Sequence, residues 1–231
     1  MSARLIGPEV ERQLRNWELA RTQRRAAEAR VGPPEVQEFV TISRSLGSGG
    51  SEVARRLAER LGWSVFDKEI LHAMAGDDGM RERLYQEMDE RDMGWIESML
   101  RYLFRGQSNP HDSFSRLAKT VLTLARGGHA VFLGRGADLI LPGERGLRVR
   151  IDAPRPQRVE AFAAREEINP EDAEKAIDKI ERERAEFLRR LFPGDLSDVE
   201  RFDLTINLGR FDIDQAVGLI ESAMRLRNML D

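Results

Sequence analysis

The chain has 231 residues, of which 41% are hydrophobic and 33% charged, and its formal net charge is −3. These values indicate one large folded domain or a core with attachments, and they exclude a disordered chain. The chain has no cysteine, which excludes disulfides, thiolate zinc sites and cysteine nucleophiles. Of its 37 basic residues, all but four lysines are arginine. Its chemistry must therefore use carboxylates, hydroxyls, backbone amides and arginines.

Charge and hydropathy also limit the partners and the location of the protein. A net charge of −3 provides no global basic surface for nucleic acid. The chain lacks the run of about 18 apolar residues that a transmembrane helix needs. Residues 1–7 lack the apolar segment of a secretory signal. We therefore expect a cytoplasmic protein with no membrane or nucleic acid partner.

Residues 1–36 are predicted to form a helical extension. Val10, Leu14 and Trp17 recur at i, i+4 and i+7 and so share one face of a helix, which ends before the breaker Gly32-Pro33-Pro34. This face is too narrow to support a separate domain. We expect the helix to dock on the core or on a partner, and self-association through this face is one hypothesis.

Residues 37–231 are predicted to form an α/β domain with a parallel sheet. Five short apolar or β-branched runs predict strands at 38–43, 63–66, 130–133, 147–151 and 202–208. Helices separate these runs, which favours a five-stranded parallel sheet covered by helices on both faces. The fourth run alternates apolar and basic residues, and this pattern favours a place near an edge. Ligands of such sheets bind at the carboxyl ends of the strands.

The longer connections of this domain are predicted to be helical. Between the second and third strands we expect helices near 67–75, 80–91, 93–105 and 111–127, with breaks at 76–79 and 106–110. After the fourth strand we expect a helix over 155–167 and a second one that runs to about Leu191. Asn169 is predicted to cap that second helix, with Pro170 in its first turn. A closing helix is expected over 212–229.

The first candidate site is the segment Ser43-Arg44-Ser45-Leu46-Gly47-Ser48-Gly49-Gly50-Ser51, which we call the glycine loop. Consecutive backbone amides in such a loop, next to a helix start, form a cradle for phosphate. A P-loop reads GxxxxGK[ST]. Aligned on Gly49, the pattern has Ser51 at the position that meets Mg²⁺, Gly50 in place of the lysine and Arg44 in place of the first glycine. The alternative is a glycine-rich turn without a ligand.

Three further candidates follow other strands. The segment Gly134-Arg135-Gly136 places an arginine at the carboxyl edge of the sheet, where it would bind a phosphate. The alternative is a surface arginine at a tight turn. The helices over 155–191 carry many arginines, which would close over a polyphosphate or form a solvated, ion-paired hairpin. Asp67 would cap the helix that it precedes or would contact an acceptor.

Several ordered segments resemble the cytidylate kinase-like proteins, a branch of the P-loop nucleoside monophosphate kinases. The opening TISRSLGSGGSEVARRLAERLGWSVF is similar to their strand, a GSGG loop in place of GSGKGT, and the helix and strand that follow. VFLGRGADLIL, RIDAPRPQRVEAFAAREE and DKIERERAEFL are similar to their GRD segment and arginine-bearing lid. RFDLTINLGRFDIDQAVGLI is similar to their last strand and helix. The resemblance covers about 38–220 and does not include the N-terminal helix.

The resemblance implies a P-loop kinase fold, with an acceptor-binding helical region at about 68–127 and a lid at about 155–195. It implies transfer of the γ-phosphoryl group of ATP, with Mg²⁺, to a nucleoside monophosphate, and it favours a CMP-like acceptor. Transferred by position, the ATP phosphates would contact Gly47, Ser48, Gly49, Gly50 and Ser51, and Ser51 would also meet Mg²⁺. The acceptor would contact Asp67 and Arg135, and the lid charges would be Arg158 and Arg184.

The sequence departs from the family pattern where charge matters most. Gly50 removes the lysine that usually bridges the β- and γ-phosphates, and Gly136 stands where the pattern has an aspartate. Loss of such a charge costs about 3 kcal/mol of transition-state stabilisation. Arg44 is the nearest arginine that would compensate, through a planar fork rather than a point charge. The alternative is a nucleotide-binding sensor or regulatory module with weak or no kinase activity.

Overall fold

The computed structural model describes residues 6–28, 38–86, 88–105, 112–143, 146–192 and 201–230. Its strands are β1 (Phe39–Arg44), β2 (Ser64–Phe66), β3 (Ala130–Leu133), β4 (Gly146–Asp152) and β5 (Leu204–Asn207). The helices that precede β3 are α1 (Ile6–Glu28), α2 (Gly50–Leu61), α3 (Lys68–Gly76), α4 (Asp78–Gln86), α5 (Glu90–Leu103) and α6 (Asp112–Gly127). The helices that follow it are α7 (Ala137–Ile140), α8 (Arg155–Glu166), α9 (Pro170–Leu191) and α10 (Ile213–Leu226).

The five strands form one parallel sheet in the order β2-β3-β1-β4-β5, as the alternation of strands and helices predicted. The fourth strand lies near an edge, as its pattern indicated: β4 pairs with β1 on one side and with the edge strand β5 on the other. Its alternation reflects how its two faces are covered. Leu147, Val149 and Ile151 are buried against helices, whereas the half-buried Arg150 faces a cavity.

Helices cover both faces of the sheet, so apolar side chains on alternate strand positions enter two separate cores. Phe39 and Phe132 point to one core with α1, α3 and α6. Val40 and Ile42 point to the other core with α2 and α10. This two-sided burial explains why the central strands read as continuous apolar runs rather than as alternating ones. At the carboxyl ends of the strands, side chains lie outside both cores and can contact ligands.

Helix α1 packs into the first core rather than standing apart from it. Val10, Leu14 and Trp17 are all buried there, and the Trp17 indole donates to the Leu124 carbonyl at 3.0 Å. The face that we considered for self-association is therefore occupied within the same chain. Gln13 also accepts a hydrogen bond at 3.1 Å from the backbone of Val65, so α1 covers the outer edge of β2.

Ion pairs tie α1 to the helical region between β2 and β3. Arg21 of α1 lies 2.5 Å from Asp92, and Arg126 of α6 lies 2.5 Å from the other oxygen of the same carboxylate. All three side chains are buried. We call Arg21, Asp92 and Arg126 the buried cluster. On the outer side of α1, Arg83 of α4 contacts Glu11 at 3.1 Å and Glu18 at 3.0 Å.

Side-chain caps mark the starts of α3, α5, α9 and α10. Asn169 caps α9, as its residue type predicted, and Asp212 caps α10. The helix expected over 80–91 is wrong as a single element: α4 ends at Gln86, because Asp89 caps a new helix by accepting from the Asp92 amide at 2.8 Å. The breaks expected at 32–34 and 106–110 lie outside the described residues.

Candidate active site

A cavity of about 840 Å³ lies at the carboxyl ends of β1, β3 and β4, where a parallel sheet of this kind binds ligands. Helix α9 closes it from the opposite side, with Arg184 and Phe187 in its wall. Eight cationic side chains and four carboxylates line the cavity among the described residues. In a chain whose net charge is −3, this excess of positive charge marks a site for a polyanion.

The glycine loop joins β1 to α2 and has the backbone of a phosphate cradle. Gly47 and Gly49 take the left-handed conformation, with φ of +78° and +87°, and Gly50 begins the helix. Ser48 is buried in the turn, whereas Ser51 is exposed in the first turn of α2. The loop therefore brings backbone groups and the positive end of a helix dipole together. Of its residues, Ser43, Arg44 and Ser45 line the cavity, whereas 46–51 lie outside the lining.

The hairpin of α8 and α9 rests on the glycine loop. Glu181 of α9 accepts a hydrogen bond at 2.9 Å from the backbone amide of Leu46. Arg158 of α8 lies 2.6 Å from the same carboxylate, and its backbone carbonyl would collide with any side chain at Gly47. The sequence did not indicate that Glu181 would contact the loop. The charge of Arg158 is thus compensated within the chain in this conformation.

Arg44 leaves the end of β1 and runs across the floor of the cavity. Its aliphatic stem packs against Gly50, and its guanidinium reaches the backbone at Gly134, after β3. The side chain is half-buried and lines the cavity. Burial, and then repulsion from Arg184, lowers the pKa of Arg44 to about 10, so the group remains protonated at neutral pH.

Arg135 is held by an unusual run of backbone angles. Gly134, Arg135 and Gly136 have φ of +76°, +59° and +67°, and a non-glycine residue in this region is strained. The Arg135 guanidinium lies 5.0 Å from the centre of the Phe187 ring. Its buried Nε has no hydrogen-bond partner among the described residues. Strain and an unsatisfied donor at one residue are typical of a ligand-binding position.

Arg184 approaches the same cavity from α9. Burial lowers the pKa of both Arg184 and Arg135. The negative charges of Glu181 and then Glu69 offset part of this effect at Arg184, and that of Glu69 does so at Arg135. We call Arg44, Arg135 and Arg184 the cavity arginines. Within the part of the chain that the structure describes, none of the three forms an ion pair with a carboxylate. Three partly desolvated cations that repel one another form a strong site for a ligand with several negative charges.

Asp67 caps α3, which is the structural alternative considered for it. Its carboxylate accepts from the Ile70 amide at 2.9 Å. Burial raises the pKa of Asp67, and the Ile70 amide offsets part of that shift. The neighbouring Lys68 lines the cavity, so the start of α3 contributes to the site.

Asp138, Arg201 and Arg150 are site residues that sequence reasoning did not identify. Asp138 is almost fully buried, lies 2.6 Å from the Arg201 guanidinium and is within 3.3 Å of the Ser43 hydroxyl. The Arg150 guanidinium contacts the Ser45 hydroxyl at 3.3 Å. Only the place of Asp138 near the Gly-Arg-Gly turn was a signal, because the arginines come from distant segments that the sheet brings together.

Comparison with known proteins agrees with this geometry. The model of the cytidylate kinase-like family matches residues 39–210, well over half of the chain. The chain belongs to that family. It is 27% identical to a cytidylate kinase of Methanopyrus kandleri over 199 residues, which are 82% of this chain and 94% of that protein. It is 30% identical to a cytidylate kinase of Natronomonas pharaonis, over 80% of this chain and 88% of that protein.

A solved structure shows a similar fold. A crystal structure of an uncharacterised protein from Eubacterium ventriosum matches 82% of this chain and 99% of its own, with a TM-score of 0.57 and 20% identity. With the family assignment, the parallel sheet and the glycine loop after β1, this identifies a nucleotide kinase-like α/β fold and a kinase-like phosphotransferase. In the described part of the chain, no helix has both the length and the apolar character to cross a membrane.

The charged and hydrogen-bonding groups of the site fit a nucleotide that carries Mg²⁺. The cavity arginines lack ion-pair partners among the described residues, and the glycine loop directs a helix N-terminus at the same edge of the sheet. The described residues form no cluster of carboxylates or histidines that would hold a metal ion alone. Mg²⁺ usually keeps waters and substrate oxygens with only one or two protein ligands, and the exposed hydroxyl of Ser51 in the first turn of α2 is of the type that can be one of them.

Proposed function

We propose that this protein transfers the γ-phosphoryl group of ATP to a nucleoside monophosphate, with a CMP-like acceptor favoured. The observation that carries the proposal is the set of cavity arginines, which lie without ion-pair partners among the described residues at the carboxyl ends of the strands. Two phosphorylated substrates would supply the missing negative charge. The relatives named cytidylate kinase support a pyrimidine acceptor.

The donor side of the site would be the glycine loop. Backbone amides of Gly47, Ser48, Gly49 and Gly50 would hold the ATP phosphates, together with the N-terminus of α2. Mg²⁺, when bound, would neutralise phosphate charge, and the Ser51 hydroxyl in the first turn of α2 is the side chain we assign to it. The loop orients the donor and requires no covalent intermediate.

The acceptor side would be formed by Arg135 and the start of α3 at Asp67. A phosphate oxygen of the acceptor attacks the γ-phosphorus in line, and the bond from that phosphorus to the bridging oxygen breaks. The leaving ADP takes the electron pair, and the ionised acceptor needs no base to remove a proton. Arg44, Arg158 and Arg184 would stabilise the charge that spreads over the transferred group.

An assay of ADP release tests this proposal. CMP, dCMP and UMP are supplied as acceptors, beside purine nucleoside monophosphates and a control without acceptor. We expect acceptor-dependent ADP release, fastest with a cytidine monophosphate. Release with a purine acceptor alone would overturn the acceptor assignment, and no turnover with any acceptor would overturn the proposal.

A nucleotide-binding module without kinase activity is the second candidate. Gly50 favours it, because a P-loop lysine is absent there, and so does Glu181, which occupies the Leu46 amide in the glycine loop. Calorimetry with magnesium ATP separates the two candidates. Tight binding without turnover of any acceptor would support the module, whereas rapid turnover by the unmodified protein would exclude it.

A further inference from the structure

We propose that Arg44 supplies, from the end of β1, the cation that a P-loop kinase normally takes from the first turn of the following helix, and that Gly50 and Gly134 form the seat for its side chain. The inference rests on the proposed function and names the residue that makes phosphoryl transfer feasible without a loop lysine. Arg44 would contact the transferred phosphoryl group directly.

The seat begins at Gly50. A Cβ atom at this position would lie 2.6 Å from Cβ of Arg44, 3.1 Å from its Cγ and 3.1 Å from Cβ of Ile151. These are not the mobile ends of side chains: the Arg44 atoms are next to its backbone, and Ile151 is completely buried. The side chain of Arg44 and a lysine at position 50 therefore exclude each other in this packing.

The other end of the seat is Gly134, which follows the neighbouring strand β3. A Cβ atom there would overlap Nη1 of Arg44, and the φ of +76° also disfavours a side chain. Since β1 and β3 pair in parallel, with Ile42 beside Leu133, their carboxyl ends lie next to each other. The Arg44 side chain thus runs from Gly50, on the expected donor side, to Gly134 next to Arg135, on the expected acceptor side.

The charge of Arg44 is available to a ligand. No hydrogen bond or ion pair within the described residues occupies its guanidinium. The charged groups that act on it from surrounding elements are Asp67 and Glu69 at the start of α3, Arg135 after β3 and Arg184 on α9. A guanidinium fork binds two phosphate oxygens at once, so from this position it would hold the phosphoryl group in transit, where a lysine would act as a point charge.

Four proteins test the exchange of positions: the unmodified chain, Arg44→Gly, Gly50→Lys and the double variant. We expect each single change to lower kcat by about 10²- to 10³-fold, the first by loss of the cation and the second by displacement of Arg44. The double variant places a lysine in the space that the arginine leaves. The kcat of the double variant should be at least tenfold higher than that of Arg44→Gly. A double variant whose kcat is no higher than that of either single variant would overturn the proposed packing of Arg44 against Gly50.

Arg44→Met separates charge from folding, because methionine keeps much of the aliphatic stem. We expect a loss of kcat similar to that of Arg44→Gly, with an unchanged circular dichroism spectrum. Added guanidinium ion should partly restore kcat in Arg44→Gly, where the cavity is open, and not in Arg44→Met, where the stem fills it. Full kcat in Arg44→Met would overturn the role of Arg44.

Nucleotide affinity distinguishes failure of this inference from failure of the proposed function. If the unmodified chain phosphorylates no acceptor, the proposed function is overturned, and calorimetry with magnesium ATP then tests Arg44 by itself. We expect at least tenfold weaker binding in Arg44→Met than in the unmodified chain. Equal affinity in the two proteins, with or without turnover, would overturn the contact between Arg44 and the phosphates.

Discussion

Arginine is withdrawn from solvent in two regions of this molecule, fully in one and partly in the other, with opposite electrostatic results. In the buried cluster, Arg21 and Arg126 each lie 2.5 Å from an oxygen of Asp92. In the cavity, the three cavity arginines lie close enough to repel one another and form no ion pair among the described residues. The first region is completed by the chain itself, whereas the second needs an anion from outside. The comparison shows that arginines in one chain can either complete a buried ion cluster or line a cavity without an ion-pair partner among the described residues.

The pKa shifts reflect the same difference. Burial alone raises the pKa of Asp92, but hydrogen bonds and attraction from Arg126 and Arg21 outweigh it and lower that pKa. Burial lowers the pKa of Arg44 to about 10, and Arg184 adds to the effect. The charged form is therefore favoured by folding in the buried cluster and disfavoured in the cavity. We infer that the cavity arginines reduce the stability of the ligand-free protein.

The largest expected effect is on the buried cluster. Asp92→Ala leaves two arginines without their shared carboxylate, and we expect the free energy of unfolding to fall by about 3–5 kcal/mol. Urea denaturation measures this change. The matched control is Asp214→Ala, which removes an exposed partner of Arg56 and should cost about 1 kcal/mol or less. Equal losses in the two variants would contradict the distinction between buried and exposed pairs.

The next largest effect is on activity. Arg184→Met removes one cavity arginine while it keeps a good helix former, and we expect kcat/KM to fall by about 10²- to 10³-fold, which is about 2.7–4 kcal/mol. Steady-state kinetics with ATP and CMP measure it. Arg182→Met is the control, because Arg182 is exposed on the same helix. Similar losses of kcat/KM in both variants would show that the positive charges of α9 in general, rather than the position of Arg184 in the cavity, support activity.

A smaller effect of opposite sign is expected for stability in the cavity. Arg44→Met removes a desolvated charge and keeps the stem that packs against Gly50, so the ligand-free protein should become about 0.5–2 kcal/mol more stable. Thermal or urea unfolding without nucleotide measures this. If the variant is less stable than the unmodified chain, the arginine contributes to the fold and the contrast between the two regions fails.

The smallest effect appears only in acid. The pKa of Asp92 is lower in the folded protein than in the unfolded chain, where it is about 3.9. The ionised carboxylate therefore contributes its full stabilisation above about pH 3.9, and this contribution is lost as the pH falls through the lower pKa of the folded state. The stability advantage of the unmodified chain over Asp92→Asn should therefore be constant near neutral pH. Below about pH 4 it should shrink, by at most about 1.4 kcal/mol per pH unit. Urea denaturation from pH 7 to pH 3 measures the difference, and an advantage that grows in acid would contradict the assignment.

Local patterns predicted most of the fold, because the signals for strands and caps act over a few residues. The run Ala130–Leu133 and the cap at Asn169 both lie where their residue types indicated. The alternation of β4 indicated a place near an edge, and β4 lies beside the edge strand β5. An alternating pattern shows that one face of a strand is buried in a core and the other is not. In β4 the second face borders the cavity, where a polar side chain is tolerated as it would be in solvent.

The candidate site was predictable in its parts but not in its contacts. Gly47, Gly49 and Arg135 were identified from spacing, since the glycine loop and the Gly-Arg-Gly turn each follow a strand. The contact between Glu181 and the Leu46 amide joins residues 135 positions apart in the chain. No local pattern encodes a pairing over that distance, because it depends on how the hairpin of α8 and α9 folds back over the sheet.

By itself, the sequence determined most of the elements, the place of the glycine loop after β1 and the absence of a lysine from it. Only the tertiary structure decided which arginines are neutralised. Arg158 and Arg184 belong to two similar arginine-bearing helices, yet Arg158 lies 2.6 Å from Glu181, whereas Arg184 faces the cavity. Charge compensation depends on distances of a few ångströms, and those distances are set by packing between segments rather than by order along the chain.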